Sequence, residues 1–407
     1  MIDDRPASGP APRGTAREVL GAFLRLGCLS FGGPVAHLGY FHAEFVQRRK
    51  WCDEETFAEI VAIAQAMPGP ASSQVGFALG LLRAGWRGGA AAWFGFTMPS
   101  ALLMLGFAFG HLLLTGKVGL GVVHGLQLVA VAVVAQAILA MRKSLAPDAA
   151  RMVLALVAAA IALFAPAEAG TVLAIATGAL LGGVLPKVAQ RPTTPALGFG
   201  IPKPAGALAA ALFGTLLLLL PVAAAFTRSR PIAVFSAFYR TGALVFGGGH
   251  VVLPLLENAV VARGWVDQQT FLSGYGAAQA LPGPLFTFAA YLGAAIGSTA
   301  DPVTLAALAL MAIFLPGLLL IIAVLPFWSS LRRRRWIQGC LLGVNASVVG
   351  VLIAAFIRPV WSNAVRTGFD LVLVLAAFAL LVRWKVPPWI IVVAVASACA
   401  AASVFRR

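Results

Sequence analysis

Long apolar runs separated by short polar segments are the dominant pattern of this chain. The clearest apolar cores are residues 101–114, 118–141, 152–164, 205–226, 303–327, 337–357 and 369–382. Apolar stretches of about 18 residues or more recur, and as a helix this length crosses roughly 30 Å of hydrocarbon. The runs are continuous rather than alternating, which argues against a transmembrane barrel. The pattern therefore predicts an all-α, polytopic integral membrane protein.

The first polar interruption after the N-terminal segment breaks a helix. Residues 18–39 have helical periodicity, but Phe31-Gly32-Gly33-Pro34 interrupts it. Two glycines and a proline free backbone groups within the membrane, which is tolerated only where protein or a wet cavity satisfies them. Residues 42–53 follow as a short, charged, amphipathic segment, which is typical of an interfacial element.

A second interruption predicts a re-entrant hairpin. Residues 54–67 and 71–82 have a helical pattern, yet each is too short to span a bilayer comfortably. Pro68-Gly69-Pro70 lies between them, at the position of a turn. Such a turn occurs at membrane depth where it is buried in protein or lines a cavity.

The same order of elements is written twice. The first copy contains Phe23, Arg25, Gly27, Phe31-Gly32-Gly33, Trp51, Asp53, Phe57, Gln65 and Pro68-Gly69-Pro70. The second copy contains Phe238, Arg240, Gly242, Phe246-Gly247-Gly248, Trp265, Asp267, Phe271, Gln279 and Pro282-Gly283-Pro284. The difference in residue number between equivalent positions of the two copies is constant from the tryptophan to the second proline, and it is one residue larger before the tryptophan. Downstream, Pro99-Ser100 corresponds to Pro316-Gly317. We therefore divide the chain into a polar tail (1–17), a first transporter-like repeat (18–185), a linker (186–204) and a second repeat (205–407).

Composition changes this picture little. Hydrophobic residues make up 60% of the chain and charged residues 11%, and the mean hydropathy is +0.92, far above that of soluble domains. The formal net charge is +16. In a soluble protein this excess would indicate nucleic-acid binding, but here the basic residues punctuate apolar runs as loop anchors do. The 4 cysteines have no CxxC spacing, so they indicate neither a metal site nor a disulfide framework.

The placement of the basic residues favours opposite orientations for the two repeats. Arg48-Arg49-Lys50 follows the first broken helix, whereas the matching segment of the second repeat carries only Arg263. The arginine run at residues 332–335 instead corresponds to the sparsely charged loop near Lys117. If basic loops face the cytoplasm, the two copies are inverted relative to each other. Inverted repeats with discontinuous helices near the midplane are an architecture of secondary transporters.

The repeated pattern of Phe-Gly-Gly, Trp-x-Asp and Gln-Ala-x-Pro-Gly-Pro resembles the chromate ion transporter family in its long, two-domain form. The resemblance covers residues 17–139 and 235–357. It implies a multi-pass permease of the bacterial plasma (inner) membrane that exports chromate, confers chromate resistance and uses the membrane potential or the proton gradient. Sulfate, which is isosteric with chromate, is the implied competitor, and a homodimer is compatible with it. The second copy has Gly248-Gly249-His250 in place of Gly33-Pro34-Val35, so the halves are not equivalent.

Two arginines occupy matching positions before the glycine breaks. Arg25 and Arg240 each lie a turn or two before a break. An arginine in hydrocarbon is costly unless it snorkels, pairs or lines a cavity. A planar guanidinium suits a tetrahedral dianion because it donates bidentate hydrogen bonds. The alternative is that each arginine only snorkels to the lipid headgroups.

The glycine breaks and the Pro-Gly-Pro turns offer backbone amides to an oxyanion, because helix N-termini bind anions without a charged side chain. Gln65, Gln279, Gln127 and Asn345 are candidate side-chain donors. The alternatives are that the glycines only permit close helix packing and that the side-chain amides bridge helices. The candidate substrate-binding residues are Arg25, Phe31, Gly32, Gly33, Gln65, Pro68, Gly69, Pro70, Arg240, Phe246, Gly247, Gly248, Gln279, Pro282, Gly283, Pro284 and Asn345.

Proton coupling would need an ionisable group that reaches the cavity. The candidates are Glu44, Glu257 and His250, with His37 and His42 beside them. Histidine titrates near physiological pH, and burial raises the pKa of a carboxylate. For Glu44 the alternative is an ion pair with Arg48 on the interfacial segment.

Enzyme functions find no motif to support them. The sequence contains no P-loop, Gly-x-Ser-x-Gly or His-Glu-x-x-His motif, so we predict neither ATP hydrolysis nor other catalysis, and no cofactor. Three functions stay open at this point. They are a chromate exporter, a permease for another anion such as sulfate or an organic carboxylate, and a membrane enzyme or channel that shares only the fold.

Overall fold

A computed structural model describes residues 14–111, 116–165, 167–183, 199, 201–246, 251–297, 301–331 and 334–405. Within these residues every regular element is a helix, which confirms the all-α prediction. Among the described residues, five helices are long and apolar enough to cross a membrane, and they are Ala71–Gly110, Gly116–Leu145, Lys203–Thr227, Pro302–Phe327 and Trp336–Ala364. Most of the predicted tail and linker lies outside the described residues.

The helices follow the order that the repeats predict. In the first repeat they are α1 (Ala16–Leu29), α2 (Gly33–Phe41), α3 (Glu54–Ala66), α4 (Ala71–His111), α5 (Gly116–Leu145), α6 (Ala149–Phe164) and α7 (Ala167–Gly182), with a π-helical turn at His42–Arg48. A separate helix, α8 (Lys203–Thr227), precedes the second copy of the pattern. The second repeat contains α9 (Arg230–Leu244), α10 (Val252–Val260), α11 (Gln268–Ala278), α12 (Phe288–Ile296), α13 (Pro302–Val324), α14 (Trp328–Leu331), α15 (Arg335–Ala355), α16 (Ser362–Ala364), α17 (Gly368–Arg383) and α18 (Pro388–Phe405).

Both predicted helix breaks are present. After α1 the backbone of Ser30 is extended (φ −84°, ψ 93°), and Gly32 and Gly33 then take positive φ angles of 99° and 78°. After α9 the backbone of Val245 is extended in the same way (φ −78°, ψ 104°). Glycine adopts positive φ at no steric cost because it has no Cβ. Each break therefore ends one helix and allows the chain to change direction before the next.

Each repeat also contains the predicted re-entrant hairpin. Asp53 caps α3 by accepting a hydrogen bond from the backbone N–H of Thr56 (2.8 Å), and Asp267 caps α11 through Thr270 (2.9 Å). Beyond the first Pro-Gly-Pro turn, α4 is bent at Gly85, whose φ of 63° is not helical. The piece of α4 before the bend is the return arm of the hairpin, and the longer piece after it crosses the protein.

The equivalent tryptophans of the two repeats have different neighbours. Trp51 packs in one hydrophobic cluster with Leu325, at the C-terminal end of α13. Its counterpart Trp265 lines a cavity with Ala108, near the end of α4, and with Pro302, at the N-terminal end of α13. The opposite orientation of the two repeats stays a prediction from the placement of the basic residues.

The last helices of each repeat pack against helices of the other repeat. α5 packs against α18 of the second repeat, and α15 packs against α6 and α7 of the first. A Cβ on Gly125 would lie 2.6 Å from the Cα of Ala396, and a Cβ on Gly182 would lie 2.9 Å from the Cα of Gly343. Membrane helices associate closely where small residues let their backbones approach. This packing makes the folded state of each half depend on the other.

Candidate functional site

The Pro-Gly-Pro turn of each repeat bonds to the broken helix of the other repeat. The backbone N–H of Gly69 donates to the carbonyl oxygen of Val245 (2.7 Å), and that of Gly283 donates to Ser30 (2.8 Å). Ser30 and Val245 occupy matching positions immediately before Phe-Gly-Gly, so the two bonds obey the internal symmetry. A helix that ends leaves carbonyl groups without intrahelical donors, and each turn satisfies one of them. We call these four residues the crossing.

Glycine is required at both turns of the crossing. Gly69 has a φ of 117°, and a Cβ there would lie 2.8 Å from the Cα of Gly317. Gly283 has a φ of 91°, and a Cβ there would lie 2.8 Å from the hydroxyl oxygen of Ser100. Positive φ strains any residue with a Cβ, and the close approach adds a steric reason. Pro99-Ser100 and Pro316-Gly317 were matched in the sequence, and the structure brings each against the turn of the opposite repeat.

A buried histidine joins the first broken helix to the start of α4. The Nε2 atom of His37 lies 3.2 Å from the carbonyl oxygen of Ser30, and its Nδ1 atom lies 3.4 Å from the hydroxyl oxygen of Ser72. Since a carbonyl oxygen only accepts, Nε2 carries the proton and Nδ1 accepts from the Ser72 hydroxyl. His37 is fully buried, and its ring meets the edge of Phe96 at 5.2 Å. This arrangement orients the Ser30 carbonyl that also accepts from the second turn.

Gln74 ties the first turn to the second repeat. Its side-chain Nε2 donates to the carbonyl oxygens of Pro68 (2.9 Å) and Gly317 (3.0 Å). Its Oε1 atom is buried and has no hydrogen-bond partner among the described residues. Both donor hydrogens of the amide are therefore used, while its acceptor faces the interior unsatisfied.

Further buried donors without partners lie on the same elements. In the described part of the chain, the Ser30 and Ser73 hydroxyls, the Thr97 hydroxyl and the Trp93 indole N–H have no hydrogen-bond partner. Trp93 and Thr97 are four residues apart on α4, and Ser100 is three residues further, so the three share one helix face. That face meets the crossing through Ser100. Buried polar atoms are almost always paired in native proteins, so a concentration of unpaired donors is a signal for a polar ligand or water.

We define the polar cluster as Ser30, His37, Ser72, Ser73, Gln74, Thr97 and Ser100. Its matching positions in the second repeat are Val245, Val251 or Val252, Phe286, Thr287, Phe288, Phe314 and Gly317. Only one of these is polar, and its hydroxyl, that of Thr287, already donates to the carbonyl oxygen of Pro284 (2.9 Å). The two backbone hydrogen bonds of the crossing are therefore symmetric, whereas the polar side chains around it come almost entirely from the first repeat. The sequence analysis proposed a functional role for His37 alone among these residues. Comparing the two copies position by position would have shown that the first copy is polar where the second is mostly apolar.

The two matching arginines have different surroundings. Arg25 is exposed on α1. Arg240 is half-buried and lines a cavity of about 290 Å³ together with Arg263 and Trp265. Arg25 and Arg240 therefore match in the sequence but differ in their surroundings.

The other predicted site residues are dispersed around the crossing. Gln65 is exposed at the end of α3, whereas Gln279 and Asn345 are half-buried. Phe31 packs against the Trp389 ring with 6.4 Å between centroids. Gln127 donates to the backbone carbonyl of Gln269 (3.3 Å), which is the helix-bridging alternative. The remaining half-buried or buried residues of the set are Gly33, Pro68, Pro70, Phe246, Pro282 and Pro284, and Gly32 is exposed. Gly247, Gly248 and His250 lie outside the described residues.

Glu44 forms the ion pair that was the alternative to a coupling role. Its carboxylate accepts hydrogen bonds from Arg48 (2.8 Å) and Arg49 (2.6 Å). Burial raises the pKa of Glu44, but the hydrogen bonds from Arg49 and Arg48 outweigh it and leave the pKa below its ordinary value. Glu257 is buried on α10, within the second broken helix.

These features are those of a polytopic membrane transporter of two repeats, in which Pro-Gly-Pro turns and broken helices meet inside the protein. The sequence profile of the family described as Chromate transporter matches residues 17–183 and 232–401. The chain belongs to the chromate transporter family.

Several known relatives cover most of the chain. A chromate transport protein of Pseudomonas aeruginosa is 26% identical over 95% of this chain and 92% of its own length. A chromate transport protein of Cupriavidus metallidurans is 28% identical over 92% of this chain and 90% of its own length. An uncharacterized transporter of Bacillus subtilis, YwrA, is 29% identical and matches 40% of this chain with 92% of its own length, so it is about one repeat long. No solved structure matches.

Proposed function

We propose that this protein is a secondary active transporter that exports chromate across the bacterial cytoplasmic membrane and thereby lowers its level in the cell. Membership of the chromate transporter family supports chromate as the substrate. The predicted inversion of the repeats and the discontinuous helices support alternating access around a central site, because that architecture recurs in secondary transporters. The charge asymmetry supports a cytoplasmic position for the face that carries Arg48 and Arg49.

The substrate site that we propose is the polar cluster at the crossing. The observation that carries it is the set of buried donors without partners among the described residues, which are Ser73, Thr97 and Trp93 on α4 and Ser30 at the crossing. Chromate is a tetrahedral dianion whose oxygens accept hydrogen bonds. Hydroxyl and indole donors, together with the first amides of α4, match that requirement because helix N-termini favour anions. Sulfate has the same shape and charge, so it competes for the same donors.

The predicted motif residues frame this site rather than fill it. The first Pro-Gly-Pro turn positions the N-terminus of α4, and Gly32 and Gly33 give α2 its start beside Ser30. From the second repeat, Val245 and Gly283 meet the first repeat at the crossing. Coupling to protons is assigned to the buried Glu257 and to His250, while Glu44 acts as a structural ion pair.

Everted membrane vesicles test the function directly. With an imposed proton gradient and membrane potential, we expect chromate to accumulate inside vesicles that contain the protein and not in control vesicles. Excess sulfate should reduce the initial rate. Accumulation of sulfate or an organic carboxylate in place of chromate would identify a different anion permease, and equilibration without a gradient dependence would identify a channel.

A further inference from the structure

A histidine of the first repeat and an aspartate of the second repeat form a buried pair at the start of α17. The Nε2 atom of His124, on α5, lies 2.9 Å from the Oδ1 atom of Asp370. The Oδ2 atom of Asp370 accepts hydrogen bonds from the backbone N–H groups of Arg366 (3.0 Å) and Thr367 (2.9 Å). Asp370 is only 1% exposed. These donors at a helix N-terminus favour the ionised carboxylate, so Nε2 of His124 carries a proton and Nδ1 is the nitrogen that gains or loses one.

Helix packing alone does not require this pair. α15 packs against α6 as α5 packs against α17, so the two junctions correspond. In register, His124 corresponds to Leu342 and Asp370 corresponds to Arg151. Arg151 forms its ion pair with Asp148 (3.0 Å), which directly precedes the same helix. One junction therefore forms without a histidine–carboxylate pair between repeats, whereas the other contains one.

A cavity lies beside the pair. It has a volume of about 240 Å³, and its charged or titratable lining residues are His124, Asp370, Arg366 and Cys399. The volume is roughly eight times that of one water molecule in the liquid, so water can exchange protons with the imidazole. His124 lies within Gly116–Leu145, one of the helices long enough to cross a membrane. An ionisable residue in such a helix indicates a functional site.

The other elements packed against α5 bring few charges near the pair. α11 and α16 contain no acidic or basic residue. Arg335 is the first residue of α15 and Arg383 is the last residue of α17. Arg358, in the π-helical turn after α15, and Lys117, about two turns before His124 on α5, are both exposed. The imidazole of His124 is the group here whose charge changes most readily near neutral pH.

α5 connects the pair to the crossing. Gln127 lies three residues after His124, on the same side of α5, and donates to the backbone carbonyl oxygen of Gln269 on α11 (3.3 Å). α5 and α11 also pack directly against each other. α11 leads into the second Pro-Gly-Pro turn, where Gly283 donates to the carbonyl oxygen of Ser30. A continuous series of contacts therefore runs from the pair to the polar cluster.

We propose that the His124–Asp370 pair is a second proton-binding site of the transport cycle, beside Glu257 and His250, and that its protonation acts on the crossing through α5 and α11. Neutral imidazole donates one hydrogen bond to Asp370, whereas imidazolium forms a charged and stronger one. A gained proton therefore tightens the contact between the repeats, and a pH gradient can bias a two-state equilibrium through that difference. This inference rests on the proposed function, because the proton serves the same transport cycle.

His124→Gln tests the site, because the glutamine amide can donate to Asp370 as Nε2 does but does not titrate. The measurement is the initial rate of chromate accumulation in everted vesicles at matched protein level. It is driven either by a pH gradient with the membrane potential short-circuited or by a membrane potential at equal pH. We expect His124→Gln to lose the larger part of the rate driven by the pH gradient and to keep the rate driven by the potential, which also shows that the variant is folded.

His42→Gln is the matched control. His42 also pairs with a carboxylate, that of Glu54 (2.7 Å), but Glu54 is 69% exposed and both residues belong to the first repeat. We expect this variant to keep both rates. A rate driven by the pH gradient that is equal in His124→Gln and His42→Gln would overturn the proton site.

Asp370→Asn is the second variant. It retains an acceptor for the start of α17 but removes the charge that stabilises the imidazolium, so we expect the same selective loss. Loss of both rates in both His124→Gln and Asp370→Asn would overturn the proton site in favour of a purely structural bond. A wild type that accumulates chromate without responding to the pH gradient would overturn it as well. Absence of chromate accumulation by the wild type under either gradient would instead refute the proposed function itself.

Discussion

Replacing Gly69 by alanine tests the crossing. The substitution places a Cβ on a residue with a φ of 117°, 2.8 Å from the Cα of Gly317. Backbone strain of this kind costs about 1–3 kcal/mol. The contact is with backbone rather than with the end of a flexible side chain, so we add an overpacking cost of about 1–3 kcal/mol. Displacement of the turn also breaks the hydrogen bond to Val245, which contributes about 0.5–1.5 kcal/mol.

Gly85→Ala is the matched control. Gly85 also has a positive φ, of 63°, but a Cβ there would meet no atom within 4 Å. The strain is common to both variants, so Gly69→Ala should lose about 1.5–4.5 kcal/mol more than Gly85→Ala. The assay is reversible unfolding in mixed micelles, with chromate transport measured at matched protein level. Equal losses of stability in the two variants would refute the packing that we describe at the crossing.

Three further predictions follow from other contacts. Gln74→Leu removes the two hydrogen bonds that the amide donates to Pro68 and Gly317, so we expect a loss of about 1–3 kcal/mol in the same unfolding assay, and wild-type stability would contradict the bridge. Cysteine at Lys50 should react with an impermeant maleimide only from the cytoplasmic side and cysteine at Arg263 only from outside, whereas labelling of both from one side would contradict the inversion. Arg240→Lys should raise the half-saturating chromate concentration about ten- to hundredfold because lysine lacks the planar fork. Arg25→Lys should stay close to wild type, since an exposed side chain needs only to reach the headgroups, and equal behaviour of the two would contradict their different environments.

Most of the fold could be predicted because it is encoded in local signals. Glycines at residues 32 and 33 and the Pro-Gly-Pro triplets mark breaks, because both residue types disfavour a continuous helix, and the repeat doubles each observation. The helices α7 and α18 were not among the clearest apolar runs. Both are shorter apolar helices rather than full-length spans, and their small residues let them pack closely against α15 and α5.

The candidate site was harder to predict because its signal is not local. Ser73 and Thr97 look like ordinary helix residues, and only folding brings α4 against the crossing. The two arginines matched in sequence, yet Arg25 is exposed and Arg240 lines a cavity with Arg263 and Trp265. In a duplicated chain, such sites can be found by comparing equivalent positions of the two copies and noting where only one copy has a polar or charged residue.

The most direct test of the polar cluster as the substrate site compares two buried hydroxyls at matching positions. The Ser73 hydroxyl has no partner among the described residues, whereas that of Thr287 donates to the carbonyl oxygen of Pro284 (2.9 Å). Removing an unpaired buried hydroxyl relieves a desolvation cost, whereas removing a paired one loses a hydrogen bond. The measurement is chromate binding to the purified protein together with its stability without chromate, for Ser73→Ala and Thr287→Val. We predict that Ser73→Ala keeps or gains stability while its chromate affinity falls about ten- to hundredfold, and that Thr287→Val loses stability while its affinity changes less. Unchanged chromate affinity in Ser73→Ala, or a larger loss of affinity in Thr287→Val, would contradict the site.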